Sequence, residues 1–221
     1  MKKDTIIFDL DGTLLNSLGD LHACFNAAIS NYGYPTRTEE EIKSFVGNGI
    51  KRAIEQALPY KIENSELEEI VNYFRNYYRE NMYKLTKPYD GIIELLEILK
   101  QRNYKLAVVS NKYDLAVKSL CKQYFGNYIN VAIGESENIR RKPAPDGILL
   151  AIKYLNSTIE KSIFIGDSEV DIKTAENIKI PCISVLWGYR NKELLTNAGG
   201  NIFANTPEDI IKIIEKKLFL G

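Results

Sequence analysis

At 221 residues the chain is long enough for one large domain, or for one domain carrying an insertion. Lys plus Arg and Asp plus Glu both number 29, so no global basic field draws the chain to nucleic acid or to an anionic membrane. No apolar run approaches the ~18 residues that span a bilayer, no leader pattern precedes the first strand, and Cys24, Cys121 and Cys182 fit no metal or redox spacing; a cytoplasmic protein with buried thiols is expected.

Thr5 to Phe8 is a short apolar run, the pattern of a buried strand, and Gly12 ends it. Side chains two apart in a strand share a side, so Asp9 and Asp11 leave it together. Two carboxylates held close repel and call for a cation or a shared proton; on their own, a solvated turn explains them as well. From Asn16 to Leu85 the pattern is helical. Leu18, Leu21, Phe25, Ala28, Ile29 and Tyr32 form one stripe, closed by Gly33 and Pro35. Thr38 with Glu41 reads as a capping box, and Phe45-Val46-Gly47-Asn48-Gly49 as a break between helices. Ile50, Ile54, Ala57 and Leu58 mark the next helix, stopped by Pro59. Ser65 with Glu68 reads as a second capping box, opening a long helix that carries Leu67, Ile70, Val71, Phe74, Tyr78 and Met82. Four helices inserted after one strand predict a separate helical unit.

After Lys87-Pro88 the pattern changes. Asp90 is expected to cap a helix with Ile92, Leu95, Leu96 and Leu99 facing inward. A strand from Lys105 to Val109 ends in Ser110-Asn111, and a helix runs on through Leu120. Tyr128 to Ile133 is a strand. The loop from Arg140 to Asp146 leads to a helix with Ile148, Leu149, Ile152 and Leu155. Ser162 to Ile165 is a strand ending in Gly166-Asp167, and a short helix reaches Asn177. Pro181 to Val185 is a strand ending near Trp187-Gly188-Tyr189. Ile202-Phe203 reads as an edge strand, and Thr206-Pro207 caps the last helix. This alternation predicts an α/β fold, a parallel sheet with helices on both faces.

Ligands of such sheets bind at the carboxyl ends of the strands. Asp9 and Asp11 end the first strand, Ser110 and Asn111 the second; Lys142 lies beyond the third, and Asp167 ends the fourth. With the first strand central these groups converge. Carboxylates, a hydroxyl, an amide and an ammonium suit Mg²⁺ beside a phosphate.

In this order, Asp9-Leu10-Asp11-Gly12-Thr13, Ser110-Asn111, Lys142, and Gly166-Asp167 with Asp171 resemble the four motifs of the haloacid dehalogenase-like hydrolase superfamily, across essentially the whole chain. The Phe45–Gly49 break and Trp187-Gly188-Tyr189 resemble its phosphoglycolate phosphatase branch; Asn16 departs from the Asp common there. The resemblance implies a Rossmann-like core in strand order 3-2-1-4-5, formed by residues 1–15 and 88–221, with a helical cap at 16–87. It assigns Asp9 as nucleophile and metal ligand, and Asp11 as general acid and base whose backbone carbonyl is also a ligand. Asp167 completes the protein's share of the Mg²⁺ shell. Asp171 orients metal-bound waters or stabilises its helix N-terminus. Ser110 and Lys142 hold phosphoryl oxygens, with Gly12, Thr13 and Asn111 as further donors. Gly47, Asn48 and Gly49 form a cap loop facing the substrate, with Lys51 or Arg52 as candidates for a substrate carboxylate; a plain helix–helix turn explains the same residues. His22 is expected on a helix surface, Glu169 exposed, and Arg140 and Arg141 solvated.

The activity so implied is Mg²⁺-dependent hydrolysis of a small phosphomonoester, phosphoglycolate leading, through an aspartyl-phosphate. Sugar-phosphate mutase and inorganic pyrophosphatase reuse the same core. A phospho-aspartate signalling receiver is disfavoured, because its acceptor ends the third strand and it needs no insertion. The expected partner is a small phosphorylated metabolite, with neither nucleic acid nor membrane, acting on a monomer or homodimer.

Overall fold

The computed structural model describes residues 3–216; the outer limits expected for the core, 1 and 221, lie outside them. The chain divides into two compact units, one built from the segments before Asn16 and after Lys87, the other from Asn16–Lys87.

β1 (Thr5–Phe8) is buried at every residue. The chain then turns tightly: the Leu10 carbonyl accepts from the amides of Thr13, Leu14 and Leu15, with Gly12 at φ +82°. That left-handed conformation is why glycine stands there. β2 (Leu15–Asn16) and β3 (Lys87–Pro88) pair as a two-stranded sheet.

The helical unit holds α1 (Leu18–Asn31), α2 (Glu39–Phe45), α3 (Ile50–Ala57) and α4 (Asn64–Asn81). Their apolar stripes meet in a core where the Phe25 and Phe74 rings lie 4.8 Å apart. The Thr38–Glu41 capping box forms. The one expected from Ser65 and Glu68 does not: α4 starts two residues earlier, after Glu63, and Glu68 instead pairs with Lys51 of α3 at 2.7 Å. Asp20, in the first turn of α1, is 2% exposed. Its carboxylate accepts from the Leu85 amide, the Thr86 amide and the Thr86 hydroxyl at 2.7–3.1 Å. The first and last turns of the helical unit are thus clasped by one buried carboxylate.

The α/β unit continues with α5 (Ile92–Gln101), β4 (Lys105–Tyr113), α6 (Asp114–Phe125), β5 (Val131–Glu135) and α7 (Asp146–Tyr154). It ends with β6 (Ser162–Gly166), α8 (Glu169–Asn177), β7 (Cys182–Val185), α9 (Lys192–Asn197), β8 (Phe203–Ala204) and α10 (Pro207–Glu215). The sheet order is β5-β4-β1-β6-β7-β8, with every pair parallel. In core strands this is 3-2-1-4-5 with β8 added at the edge. Ile7 of β1 pairs with Ala107 on one side and Phe164 on the other. These three join Ile148 and Ile152 of α7 and Ala175 of α8 in one core cluster.

Boundaries differ from expectation where polar residues misled. β4 does not stop at Val109; it runs through Ser110 and Asn111 to Tyr113, which pairs with Glu135 beyond a register shift. β5 starts at Val131, because the Tyr128 and Ile129 amides turn back to the Phe125 carbonyl. α6 extends past Leu120 since Cys121 and Phe125 are buried on it. α5 is entered through Gly91 in the left-handed conformation rather than capped by Asp90. Leu149 turns outward at 40% exposure. None of the three cysteines is in a disulfide; burial pushes the Cys121 thiol up to about 12, leaving it inert.

Candidate active site

Three carboxylates meet at the carboxyl ends of the central strands. Asp9 follows β1, Asp167 follows β6, and Asp171 stands in the first turn of α8; one oxygen from each lies within 4.8 Å of the others. Asp9 stays in ladder geometry, its amide donating to the Ile165 carbonyl at 2.8 Å. β1 lies between β4 and β6 as expected, which brings Asp9 and Asp167 together; Asp11, expected beside Asp9, is not in this cluster, and Asp171 is.

Lys142 enters from the loop before α7, buried to 5% exposure. Its Nζ lies 2.6 Å from Asp171 Oδ1 and 2.8 Å from Asp9 Oδ1. The Asp9 contact is a charge contact only, because the buried Oδ1 accepts no well-directed hydrogen bond. Burial pushes the Asp9 carboxyl up to about 6 against the pull of Lys142, and the Asp171 charge adds to the rise. Burial likewise lifts Asp167 well above the usual carboxylate range, with the Asp171 and Asp9 charges behind it. Burial alone would strip the proton from Lys142, but the Asp171 and Asp9 carboxylates outweigh it and hold the ammonium above its ordinary range.

Asp171 does more than either role expected for it. Oδ2 accepts from the Ser168 amide and hydroxyl, closing a capping box at the start of α8, while Oδ1 takes Lys142. The residue therefore positions Lys142. Asp167 Oδ2 accepts from the Tyr189 amide at 2.7 Å, and the Thr13 hydroxyl lies 3.5 Å from Oδ1. Three glycines let these carboxylates sit where they do. A Cβ on Gly12 would overlap Asp167 Oδ2, one on Gly166 would overlap Asp171, and one on Gly188 would overlap Asp167 and the Gly12 carbonyl.

The donor set suits a hard divalent cation. Three buried carboxylates meet here, Lys142 bridges only Asp9 and Asp171, and Asp9 Oδ1, which accepts no well-directed hydrogen bond, is an oxygen such an ion would take. Asp9 and Asp167, at the carboxyl ends of β1 and β6, would hold it.

The other expected groups divide. Ser110, 7% exposed, has its hydroxyl accepting from the Lys112 amide at 3.3 Å. Asn111 does not offer the free amide expected of it: Nδ2 donates to the Lys142 carbonyl and Oδ1 accepts from the Lys142 amide, so it fixes the Lys142 backbone. The Gly12 amide is taken by the Leu15 carbonyl. Thr13 is buried, with its carbonyl accepting from the Trp187 indole at 3.0 Å. Asp11 turns from the carboxylate cluster to Lys112, whose Nζ lies 3.0 Å from both of its oxygens. Lys112 was not singled out from sequence; its only signal is a charged residue directly after Ser110-Asn111. Glu169 pairs with Arg190 at 3.1 Å, and Arg140 forms a two-pronged pair with Asp146.

In the helical unit, Gly47 and Gly49 have φ of 119° and 85° and flank Asn48 between α2 and α3. Lys51 is engaged by Asn64 as well as Glu68, which counts against a role toward a substrate carboxylate. His22 is not a plain surface residue: its Nε2 lies 3.0 Å from both the Arg37 carbonyl and the Asn26 amide, pinning the segment before α2.

A family model described as haloacid dehalogenase-like hydrolase matches residues 6–185. The chain is 30% identical over 214 residues to a phosphoglycolate phosphatase of Aquifex aeolicus, covering 96% of this chain and 97% of that one. It is also 30% identical over 216 residues to the pyrophosphatase PpaX of Listeria welshimeri, with the same coverage. Among solved structures, a candidate phosphoglycolate phosphatase from Lactobacillus delbrueckii subsp. bulgaricus superposes with a TM-score of 0.91 at 34% identity, over 97% of this chain and 99% of that one. No helix among the described residues is long and apolar enough to cross a membrane.

Proposed function

The chain is a phosphoric monoester hydrolase of the haloacid dehalogenase-like hydrolase family, and we propose that it hydrolyses a small phosphomonoester, with phosphoglycolate the leading candidate, in a Mg²⁺-dependent reaction through an aspartyl-phosphate. The supporting observation is Asp9: a buried carboxylate at the end of the central strand, in charge contact with Lys142 and with one oxygen unsatisfied. Asp9 attacks phosphorus, and the leaving oxygen takes a proton from Asp11. Water then opens the acyl phosphate while Asp11 takes the proton back. Ser110 and Lys142 bind phosphoryl oxygens, with Lys142 held by Asp171 and by the Asn111 clamp. Mg²⁺, when bound by Asp9 and Asp167, would neutralise charge on the transferring group. Residues 16–87 serve as a helical cap that selects the leaving group, while the remainder carries the chemistry.

Pyrophosphate is the second reading, favoured by likeness to a pyrophosphatase over nearly the whole chain. Asp9→Asn tests the reaction, because it keeps the shape and removes the nucleophile. Turnover on a panel of phosphomonoesters and pyrophosphate should fall by at least about 10³-fold, with an unchanged melting curve. Near wild-type turnover by the folded variant refutes the covalent route, and full activity of metal-stripped enzyme in EDTA refutes the Mg²⁺ requirement.

A further inference from the structure

Asp11 and Lys112 form an ion pair that the proposed reaction leaves unexplained. Lys112 Nζ stands 3.0 Å from both Asp11 oxygens, and the two side chains are only 8% and 11% exposed. The backbone that carries this ammonium is fixed at the end of a strand. Lys112 lies in the last turnings of β4, beyond the register shift, its amide bonded to the Ser110 hydroxyl. Lys112 is thus set at the group that would protonate the departing oxygen, whereas Lys142 is set at the nucleophile. Two buried ammonium groups thus have different partners, Lys142 on Asp9 and Lys112 on Asp11.

From this placement, and resting on the proposed reaction, we propose that Lys112 recognises a second anionic group on the leaving portion of the substrate, exchanging its pairing with Asp11 for that anion. The anion so recognised would be a carboxylate or a second phosphate close to the departing oxygen, because Lys112 stands 3.0 Å from the residue assigned to protonate that oxygen. The exchange does two things at once. It gives the incoming charge a buried partner, and it frees the Asp11 carboxylate to take up a proton from water and turn, as the acid, toward the leaving oxygen. A substrate with a neutral leaving portion offers nothing in exchange and must break the Asp11–Lys112 pair uncompensated. The substrate class is therefore phosphate esters and anhydrides whose leaving portion is itself anionic. Part of the selectivity then resides in the α/β unit.

The test compares kcat/KM for phosphoglycolate and pyrophosphate with that for glycerol phosphate and phenyl phosphate, in wild type, Lys112→Met and Lys112→Arg. One charge-assisted hydrogen bond is worth roughly ten- to a hundredfold in such a ratio. Lys112→Met should lose at least about tenfold more on the anionic pair than on the neutral pair, mostly in KM, and Lys112→Arg should retain much of the preference. If Lys112→Met does not fold, Lys112→Gln carries the same comparison, since its amide keeps a hydrogen bond to Asp11 without the charge. An equal loss on every substrate, or an unchanged ratio, overturns the proposal. Wild-type enzyme inactive on all four substrates would instead overturn the proposed reaction itself.

Discussion

Replacing Lys142 by Met retains most of the buried stem and deletes the ammonium. Its Nζ bridges Asp171 and Asp9 at 2.6 and 2.8 Å, with the side chain 4% exposed. Removing one partner of a buried pair costs roughly 3–5 kcal/mol, because the remaining charge is stranded. Here the bridge serves two carboxylates while Asp167 crowds both, so the upper half of that range applies. At about 2–4 °C per kcal/mol for a chain of this size, the metal-free variant should melt roughly 8–20 °C below wild type at pH 7. The pH dependence has a definite sign. A carboxyl whose pKa is raised by folding destabilises the fold above its unfolded pKa of about 3.9, and that penalty fades as pH falls. Asp9 already sits at about 6, and losing Lys142 removes a contact that lowers it. The deficit should therefore shrink between pH 7 and pH 5, as Asp9 takes up a proton. Circular-dichroism melts of both proteins in EDTA at the two pH values check this. A loss under about 3 °C at pH 7, or a deficit that widens at pH 5, would refute the account of Lys142 as the charge that holds the cluster together.

Two further outcomes follow from packing. Gly188→Ala forces a Cβ into Asp167 and the Gly12 carbonyl; turnover should drop about a hundredfold, with roughly 1–3 kcal/mol lost, and unaltered kinetics would show that the carboxylate can move aside. Asp20→Ala removes the acceptor of three donors and should cost roughly 2–4 kcal/mol, read as fast hydrogen exchange at the Leu85 and Thr86 amides; exchange as slow as in wild type would count against the clasp.

What could be read from the chain was whatever short-range periodicity encodes. Asp9 follows from its place at the end of the first strand, and the order of strands and helices from the change between periods of two and 3.6; alternation misplaced Asp11, because β1 ends at Phe8 and that carboxylate goes to Lys112 instead of standing beside Asp9. Lys142 and Asp167 were legible by their place at strand ends. What stayed hidden depends on partners far along the chain. Asn111 spends its amide on a backbone 31 residues away, and no local pattern foretells that. Lys112 reads as a solvated cation unless β4 is known to continue past two polar residues, which it does because β5 supplies Glu135 opposite Tyr113. Ser65 and Glu68 matched a cap, but Lys51 competes for Glu68 and a helix propensity signal loses to a direct ion pair. The Ser168–Asp171 capping box was local and readable from its spacing; its second task, gripping Lys142, was not.

The clasp at Asp20 has a consequence for how freely the helical unit can vary. Asp20 and Thr86 are 66 residues apart in the chain but joined side chain to main chain. A staple of this kind, together with the β2–β3 pairing beside it, fixes the span between the ends of the unit whatever lies between them. Lengthening or shortening α2, α3 or their connection then changes only a loop inside the staple, at about 0.6 kcal/mol of closure entropy for each doubling. The helical unit can then lose or gain residues between its ends while the point where the chain departs and the point where it returns stay fixed.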